Sequence, residues 1–223
     1  MVAPLGSRRL TVALLPPGWL SEPAVIVCVE GPVAARLDVL TVGYVGDRVA
    51  GTVTLVRDGD RTIVVDPGMV STRDLILTPL RDLGVEPDAV TDVVFSHHHP
   101  DHTLNAALFG NARFHDFWAI YQNDVWMDRR VFEHPDGWNL SPSVRLLATP
   151  GHSAQDISTL VDTDDGLVVC THVWWTEQGP AVDRRAESQA ALNASRAKVL
   201  GLQPTLVVPG HGAPFVPSGQ TPR

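Results

Sequence analysis

The sequence predicts an α/β fold in which two β-sheets are flanked by helices. Three observations lead to this prediction: short runs rich in Val, Ile and Thr alternate with helical patterns, Gly- and Pro-containing turns separate these runs, and 44% of the 223 residues are hydrophobic. The order hairpin, βα, βα, hairpin, α, β fits two helix-flanked sheets better than a barrel or a bundle. Because no repeat or linker divides the chain, we expect one domain over residues 1–223, with residues 1–20 and 215–223 as loose termini.

The first half of the chain contains predicted strands and one predicted helix. The turn Asp58–Asp60 joins two of the strands into a hairpin. The helix carries Leu75, Leu80 and Leu83 on one side and ends at Gly84. The predicted bounds are strands at Ala24–Glu30, Gly51–Arg57, Arg61–Val65 and Ala89–Phe95, the helix at Ser71–Leu83 and a helical turn at Thr103–Phe109.

The second half returns to strands after an aromatic and charged segment, Phe114–Asn139, which has no clear periodicity and is left unassigned. A helix is predicted where alanines and Leu200 recur at spacings of four, four, three and three from Ala186, and Gly201 supplies its C-cap. The predicted strands are Ser143–Thr149, Ile157–Asp162, Leu167–Thr171 and Thr205–Val208.

Composition and charge narrow the classes of function. The chain has 17 basic and 25 acidic residues and a formal net charge of −8, which disfavours nucleic acid as a partner without ruling it out. No apolar run reaches the roughly 18 residues of a membrane span, and the run Leu10–Leu15 is short for a signal peptide. We therefore expect a cytoplasmic protein with no membrane association, and leave a homo-oligomer open.

A cluster of potential metal ligands follows the strand predicted at Ala89–Phe95. His97, His99, Asp101 and His102 lie within six residues. Alternate residues of an extended loop project to the same side, so His97 and His99 can face one metal while Asp101 and His102 turn toward a second. Imidazole and carboxylate are ligands that zinc, iron(II) and manganese(II) take in open sites. The hexapeptide therefore predicts a metal site, and a merely solvated polar loop is the alternative.

Two distant histidines occur in matching Pro-Gly-His corners. His152 follows Pro150-Gly151 and His211 follows Pro209-Gly210, each directly after a predicted strand. This pair of residues turns the backbone sharply and places a side chain at a strand end. Either histidine alone would be a weak signal, but two matching corners in a chain with a His/Asp cluster indicate one shared site.

These motifs closely resemble those of the metallo-β-lactamase superfamily, over roughly residues 24–216. Within the superfamily, segments 148–152 and 207–215 are similar to the small single-domain group typified by metallo-β-lactamase domain-containing protein 1. The resemblance implies an αβ/βα sandwich of two mixed β-sheets flanked by helices, with a metal site at one edge between the sheets. By motif position, it assigns to a first metal His97, His99 and His152, and to a second metal Asp101, His102 and His211.

One position departs from the family pattern. Most hydrolases of the superfamily place a metal-bridging aspartate after the strand that here is Leu167–Cys170, whereas this chain has His172. A neutral imidazole removes a negative charge that helps to hold two cations close together. Three interpretations stay open: His172 is a terminal ligand of the second metal, which we favour, the second site is weak, or His172 faces the substrate.

The resemblance also suggests roles for residues around the metals. Asp66, after Ile63–Val65, matches an early acidic residue and is expected to anchor a ligand histidine or the loop backbone rather than to bind metal. Asp101 is expected to orient the attacking water and so to carry catalysis. Trp174 and Trp175 are candidates for the substrate pocket, and since neighbours on an extended chain alternate sides, at least one should face away from it.

The function implied by the resemblance is a metal-dependent hydrolase with one or two Zn(2+) ions per chain, iron or manganese being alternatives. Single-domain size, acidic charge and the aromatic middle segment favour a small-molecule ester, lactone, thioester or lactam as substrate. A metal-dependent nuclease or phosphodiesterase is one alternative, although the large nucleases of the superfamily usually carry an extra domain. A di-iron oxidoreductase or a non-hydrolytic metal-binding protein is another, but oxygen-handling di-iron sites favour carboxylate-rich ligand sets.

Overall fold

The computed structural model describes residues 10–13, 26–29 and 34–223. Within these ranges the strands form two mixed sheets and a separate antiparallel ribbon of two strands. The ribbon pairs β1 (Leu10–Ala13) with β2 (Ile26–Val29), which confirms the described part of the strand predicted at Ala24–Glu30; the rest of that prediction lies outside the described residues.

The larger sheet contains seven strands in the part of the chain that the structure describes. In spatial order they are β3 (Arg36–Thr41), β4 (Val53–Asp58), β5 (Arg61–Val65), β6 (Asp92–Val94), β7 (Arg113–His115), β8 (Ala119–Gln122) and β9 (Val125–Asp128). The three strands β5, β6 and β7 run parallel, and the other neighbours pair antiparallel. The hairpin of β4 and β5 confirms the turn predicted at Asp58–Asp60.

The smaller sheet contains five strands among the described residues. In spatial order they are β10 (Trp138–Asn139), β11 (Val144–Ala148), β12 (Ile157–Thr163), β13 (Gly166–Thr171) and β14 (Leu206–Pro209). The strands β10 to β13 form an antiparallel meander, and β14 adds in parallel to β13. The four strands predicted in the second half of the chain are confirmed to within two residues at each end.

Apolar side chains between the two sheets form the central core. Val56, Ile63 and Val94 of the larger sheet pack in one cluster with Leu146 and Val161 of the smaller sheet. All five are fully or almost fully buried. The two sheets therefore lie face to face around one shared core.

Helices cover the outer faces of both sheets. The helix α1 (Asp74–Asp82) buries Ile76 and Leu80 against the larger sheet, and a later helix, Gln189–Gly201, buries Leu192 and Val199 against the smaller one. Burying each of these side chains contributes about 1.5–3 kcal/mol to the free energy of unfolding. The order helix, sheet, sheet, helix confirms the predicted αβ/βα sandwich.

The buried face of α1 differs from the prediction. Leu75 is 42% exposed, and Ile76 points inward instead. Ile76 and Leu80 are four residues apart and therefore share one face of the helix, whereas Leu75 and Leu80 are five apart and do not.

The segment left unassigned, Phe114–Asn139, contributes the strands β8 and β9 at one edge of the larger sheet. Every residue of β9 is exposed, so this strand has no alternation of buried and exposed positions for a sequence pattern to reveal. The other edge strand, β3, was also absent from the prediction.

Residues 215–223 do not form the loose terminus that was predicted. Phe215 is buried and exchanges two backbone hydrogen bonds with Val207 of β14. The indole Nε1 of Trp174 donates to the carbonyl oxygen of Pro222 at 2.8 Å. The Pro-rich composition of this segment does not indicate these contacts, because they are made with residues distant in the sequence. Of residues 1–20, for which loose structure was also predicted, all but 10–13 lie outside the described residues.

Strand direction decides where the candidate ligands meet. Because β11 and β13 both run antiparallel to β12, and β14 runs parallel to β13, the carboxyl ends of β11, β13 and β14 lie at the same edge of the smaller sheet. The segments with His152, His172 and His211 leave these three ends. In the described part of the chain, no helix has the length and apolar character that crossing a membrane requires.

Candidate metal centre

The side chains predicted as metal ligands meet in one cluster. They form three overlapping groups, in each of which the potential ligand atoms lie within 4.8 Å of one another. The groups are His97, His99 and His152 (the first triad), Asp101, His102 and His211 (the second triad), and His97, His102 and His172. The structure thus brings together all seven residues, although they come from four separate strand ends.

The first triad has ring nitrogens that face one another. Nδ1 of His99 lies 2.9 Å from Nε2 of His97 and 3.1 Å from Nε2 of His152. Three nitrogens this close cannot all be satisfied by protons on one another, so at least one ring nitrogen of the first triad is left without a hydrogen-bond partner within the triad. His97 and His152 are buried while His99 is exposed, which leaves the first triad open on one side.

The second triad combines two buried imidazoles with one carboxylate. Oδ2 of Asp101 lies 3.5 Å from Nε2 of His102 and 3.5 Å from Nε2 of His211. The Asp101 side chain is 17% exposed, whereas those of His102 and His211 are 0% and 5% exposed. Asp101 is therefore the member of this triad that solvent reaches most readily.

His172 lies between the two triads. Its ring centroid is 4.3 Å from that of His152 and 5.1 Å from that of His211, and its Nε2 is 3.1 Å from Nε2 of His211. A Cβ added at Gly210 would lie only 2.3 Å from Cδ2 of His172, so the glycine makes room for this imidazole. The position is the one at which the family resemblance implied a bridging aspartate.

Several polar groups fix the orientation of the ligand rings from behind. Oδ2 of Asp66 lies 2.9 Å from Nδ1 of His102, and Oδ1 of Asp66 accepts the backbone N–H of Ser96 at 2.6 Å. Nδ1 of His211 lies 2.9 Å from the carbonyl oxygen of Ala50. Asp66 therefore occupies the anchoring position that the resemblance implied, and it touches both a ligand histidine and the loop backbone.

A second buried carboxylate, Asp183, had no signal in the sequence. Its Oδ2 lies 2.8 Å from Nδ1 of His152, although the two residues are 31 positions apart. Asp183 stands alone in an irregular loop and belongs to no motif or periodic pattern. Only the folded chain shows that it contacts a ligand histidine.

Two glycines allow the loop that carries Asp101 and His102 to pack closely against the neighbouring backbone. A Cβ at Gly68 would lie 1.6 Å from the carbonyl oxygen of Asp101, and a Cβ at Gly51 would lie 2.5 Å from the same atom. The backbone N–H of Gly51 also donates to this oxygen at 3.0 Å. The backbone of Asp101 is therefore held against the segments that precede β4 and follow β5 rather than free in solvent.

Burial and neighbouring charges shift the pKa values of the clustered histidines in different directions. Burial, and then the adjacent imidazoles, lowers the pKa of His97 and of His172 well below the usual value. Burial likewise lowers the pKa of His211, to about 4. Burial acts in the same direction on His102, but the carboxylates of Asp66 and Asp101 outweigh it and raise the pKa of His102.

The two tryptophans predicted as pocket residues have different surroundings. Trp174 is fully buried in the core beneath the helix Gln189–Gly201, so its assignment to the pocket is wrong. Trp175 is half-buried, with its ring centroid 6.0 Å from that of His152 and 6.1 Å from that of His211. Alternation along the chain sends the first indole inward and leaves the second beside the cluster.

The remaining histidines of the described chain lie outside the cluster. Nε2 of His98 is 3.2 Å from a carboxylate oxygen of Asp116, on the side away from its neighbours His97 and His99. His115 is buried, 2.7 Å from a carboxylate oxygen of Asp92. Neither of these two, nor the exposed His134, shares a group of potential ligands with the seven clustered residues.

The donor set fits one or two divalent metal ions. Nε2 of His102 is buried without a hydrogen-bond partner among the described residues, as is Nδ1 of His172. A buried polar atom without a partner is costly, and a metal ion at the second triad would satisfy Nε2 of His102. Six imidazoles and one carboxylate suit zinc, and they also suit iron(II) or manganese(II).

Comparison with known proteins agrees with this geometry. A sequence profile of the metallo-β-lactamase superfamily matches residues 46–136. Metallo-β-lactamase domain-containing protein 1 of Xenopus laevis is 33% identical over 178 residues, which cover 74% of this chain and 72% of that protein. The frog protein belongs to the group that the sequence motifs indicated.

Solved structures agree on the fold. A metallo-β-lactamase-like structure from Thermotoga maritima superposes with a TM-score of 0.61 at 25% identity and covers 82% of this chain and 100% of its own. An N-acyl homoserine lactone hydrolase, solved with the product N-hexanoyl-L-homoserine at its catalytic metal centre, has a TM-score of 0.58 at 18% identity and covers 82% of this chain and 94% of its own. With a curated relative at this identity and coverage, the chain belongs to the metallo-β-lactamase superfamily.

Proposed function

We propose that this protein is a metal-dependent hydrolase that cleaves a small-molecule ester, lactone, thioester or lactam. The observation that carries the proposal is the pair of adjacent triads, which share one cluster and are open to solvent at His99 and Asp101. The first triad and the second triad would each hold one metal ion, and zinc is the ion we expect. Bound zinc supplies a Lewis acid and lowers the pKa of water at the site to about 7.

The residues of the chain have separate tasks in this proposal. Asp101 is a metal ligand that is also partly exposed, so its carboxylate can accept a hydrogen bond from the attacking water and orient it. Asp66 holds the ring of His102, and therefore keeps Nε2 of His102 directed toward the cluster. Trp175 contributes an apolar surface beside the two triads.

An acyl substrate is supported by the surroundings of the cluster. Trp175 lies next to the first triad, with its ring centroid 6.0 Å from that of His152, and its ring is only half-buried. Aromatic surfaces of this kind suit an apolar acyl group. The formal net charge of −8 disfavours a polyanionic substrate such as a nucleic acid.

The test is a hydrolysis panel of esters, lactones, thioesters, β-lactams and phosphodiesters, with metal quantified in the same protein sample. We expect turnover of at least one acyl substrate, its loss after chelation and its return when zinc is added back. Turnover of phosphodiesters alone would replace the proposal with a phosphodiesterase. A protein that binds no divalent metal would end it.

The pKa shifts predict the order in which metals leave as the pH falls. Protonated imidazole cannot bind metal, so a triad that contains a histidine of raised pKa is expected to weaken at the higher pH. In the second triad, carboxylates raise the pKa of His102 above the usual value of about 6.5. In the first triad, burial lowers the pKa of both His97 and His99. Metal analysis after dialysis at stepwise lower pH should therefore show the second metal leaving first, and simultaneous loss of both ions would contradict this.

His172 should determine how many metals the protein holds. If Nε2 of His172 is a ligand of the second metal, His172→Ala leaves about one tightly bound zinc ion per chain in place of two. His172→Asp should bind the second zinc more tightly than the parent, because it restores a negative charge between the cations. Zinc titration against a chromophoric chelator measures both variants.

The control for these variants is a substitution at Gly210, the glycine that packs against the ring of His172. Gly210→Ala places a Cβ 2.3 Å from Cδ2 of His172 and should displace the ring without removing the ligand atom. We expect weaker binding of the second zinc and an unchanged first zinc. If His172→Ala still holds two zinc ions with parent affinity, His172 is a packing residue and its place in the ligand set is wrong.

A further inference from the structure

The carboxylate of Asp183 contacts both a histidine of the first triad and the neighbouring indole of Trp175. Oδ2 of Asp183 lies 2.8 Å from Nδ1 of His152 and accepts the indole N–H of Trp175 at 3.0 Å. The side chain of Asp183 is 1% exposed. One oxygen atom therefore connects a proposed metal ligand with the aromatic surface next to it.

The surrounding loop holds this carboxylate in place. Oδ1 of Asp183 accepts the backbone N–H of Arg185 at 2.8 Å, and the backbone N–H of Asp183 donates to Oε1 of Gln189 at 2.9 Å. The guanidinium of Arg196 is fully buried and donates at 2.6–2.9 Å to three carbonyl oxygens of the same loop, those of Val173, Pro180 and Ala181. These hydrogen bonds fix the loop to the helix Gln189–Gly201.

This contact determines which nitrogen of His152 is free. With Nδ1–H donating to Asp183, Nε2 carries the lone pair, and Nε2 is the atom that lies 3.1 Å from Nδ1 of His99. A carboxylate behind a ligand histidine fixes its tautomer and ring orientation and makes the imidazole a stronger donor.

The contact between Asp183 and His152 also places a negative charge behind the first triad. Among the seven clustered residues, Asp101 is the only one with a carboxylate, because His172 stands where the family resemblance implied a bridging aspartate. Two buried carboxylates lie just behind the cluster: Asp66 contacts His102 of the second triad, and Asp183 contacts His152 of the first triad. Each triad therefore has one negative charge directly behind one of its imidazoles.

We infer that Asp183 is a positioning residue of the first triad: it strengthens metal binding by His152 and fixes Trp175 against that ligand. The inference rests on the proposed function in that it takes the first triad to be a metal site. It adds that one carboxylate in the loop after His172 both raises the metal affinity of the first triad and holds the Trp175 indole beside that triad.

The test uses the full chain with one triad disabled at a time. His211→Ala removes a ligand of the second triad, and His99→Ala removes a ligand of the first. In the His211→Ala background, Asp183→Asn should weaken zinc binding by about 10–100-fold, measured by competition with a chromophoric chelator. Asp116→Asn makes the same chemical change at a carboxylate that contacts His98 outside the cluster, so it is the matched control and should leave zinc affinity unchanged there. In the His99→Ala background, where only the second triad is complete, Asp183→Asn should leave zinc affinity unchanged.

Two further measurements distinguish the proposed positioning of His152 by Asp183 from a role of Asp183 in loop packing alone. Trp175→Phe removes the indole N–H but keeps the contact between Asp183 and His152, so it should retain parent zinc affinity. Thermal unfolding of the zinc-free variants shows whether each is folded. If Trp175→Phe loses as much affinity as Asp183→Asn, or if Asp183→Asn binds zinc like its parent, the inference is overturned.

A measurement on the unmodified protein does not depend on any variant folding. Long-range proton–nitrogen correlation spectra of the zinc-loaded parent should identify His152 as the Nδ1–H tautomer, and an Nε2–H tautomer would overturn the inference. If the parent binds no zinc at all, the proposed function fails instead, so the two failures are distinguishable.

Discussion

His97→Ala and His152→Ala are each expected to abolish hydrolysis and to remove the first metal. Each substitution deletes one of the three donors of the first triad, and a metal left with two protein ligands binds far more weakly. His97 also belongs to the group that contains His102 and His172, so its loss should disturb the second metal as well. We therefore expect the lowest metal content of any single variant for His97→Ala.

The measurement is metal content and turnover on the same sample, with His98→Ala as the control. His98 sits between His97 and His99, but its side chain is 37% exposed and pairs with Asp116 instead of the cluster. His98→Ala should therefore keep parent metal content. Since His97 is buried, a thermal unfolding curve must first show that His97→Ala is folded. Full metal content and full turnover in either variant of the first triad would refute the assignment of these ligands.

The elements predicted correctly are those with strong local signals. The hairpin of β4 and β5 has an Asp-Gly-Asp turn between two β-branched runs, and such a turn specifies pairing without information from the rest of the chain. The strands β11 to β13 are mostly buried and therefore rich in apolar residues. The edge strands β3 and β9 have few or no buried residues and lack this signal, which is why they were missed, whereas the edge strand β14 is mostly buried and was predicted.

The candidate site shows the same division between local and long-range information. The spacing of His97, His99 and His102 and the Pro-Gly-His corners are local patterns, and the structure brings all of them together. Asp183 reaches His152 only because the loop after β13 folds back onto the helix that follows it. A single aspartate in an irregular loop has no pattern that marks its partner, so tertiary structure was needed to find it.

The two tryptophans show how far a local rule extends. Alternation of side chains predicts that Trp174 and Trp175 face opposite ways, and they do. The rule does not determine which of the two faces the cluster, because that depends on the direction in which the chain leaves β13. Here the residue pointing inward is fixed by the hydrogen bond from Trp174 to Pro222, in a segment predicted to be loose.

Asp101→Asn should retain the fold and the metal of the first triad while losing most turnover. The amide is nearly isosteric with the carboxylate, so the close packing of the Asp101 backbone against Gly51 and Gly68 is kept. It carries no negative charge, however, and its NH2 group cannot accept a hydrogen bond from the attacking water. Loss of a group that orients or accepts a proton in the transition state typically costs about 10²–10⁴-fold in rate.

The matched control for Asp101→Asn is Asp116→Asn, which makes the same chemical change at a carboxylate that contacts His98 and the backbone of Trp118 rather than the cluster. Both variants are assayed with the substrate found in the panel, and zinc is quantified in each sample so that a loss of rate is not confused with a loss of metal. We expect Asp116→Asn to turn over at close to the parent rate. If Asp101→Asn also keeps the parent rate with its zinc in place, Asp101 has no part in orienting the water, and another group at the cluster must do so.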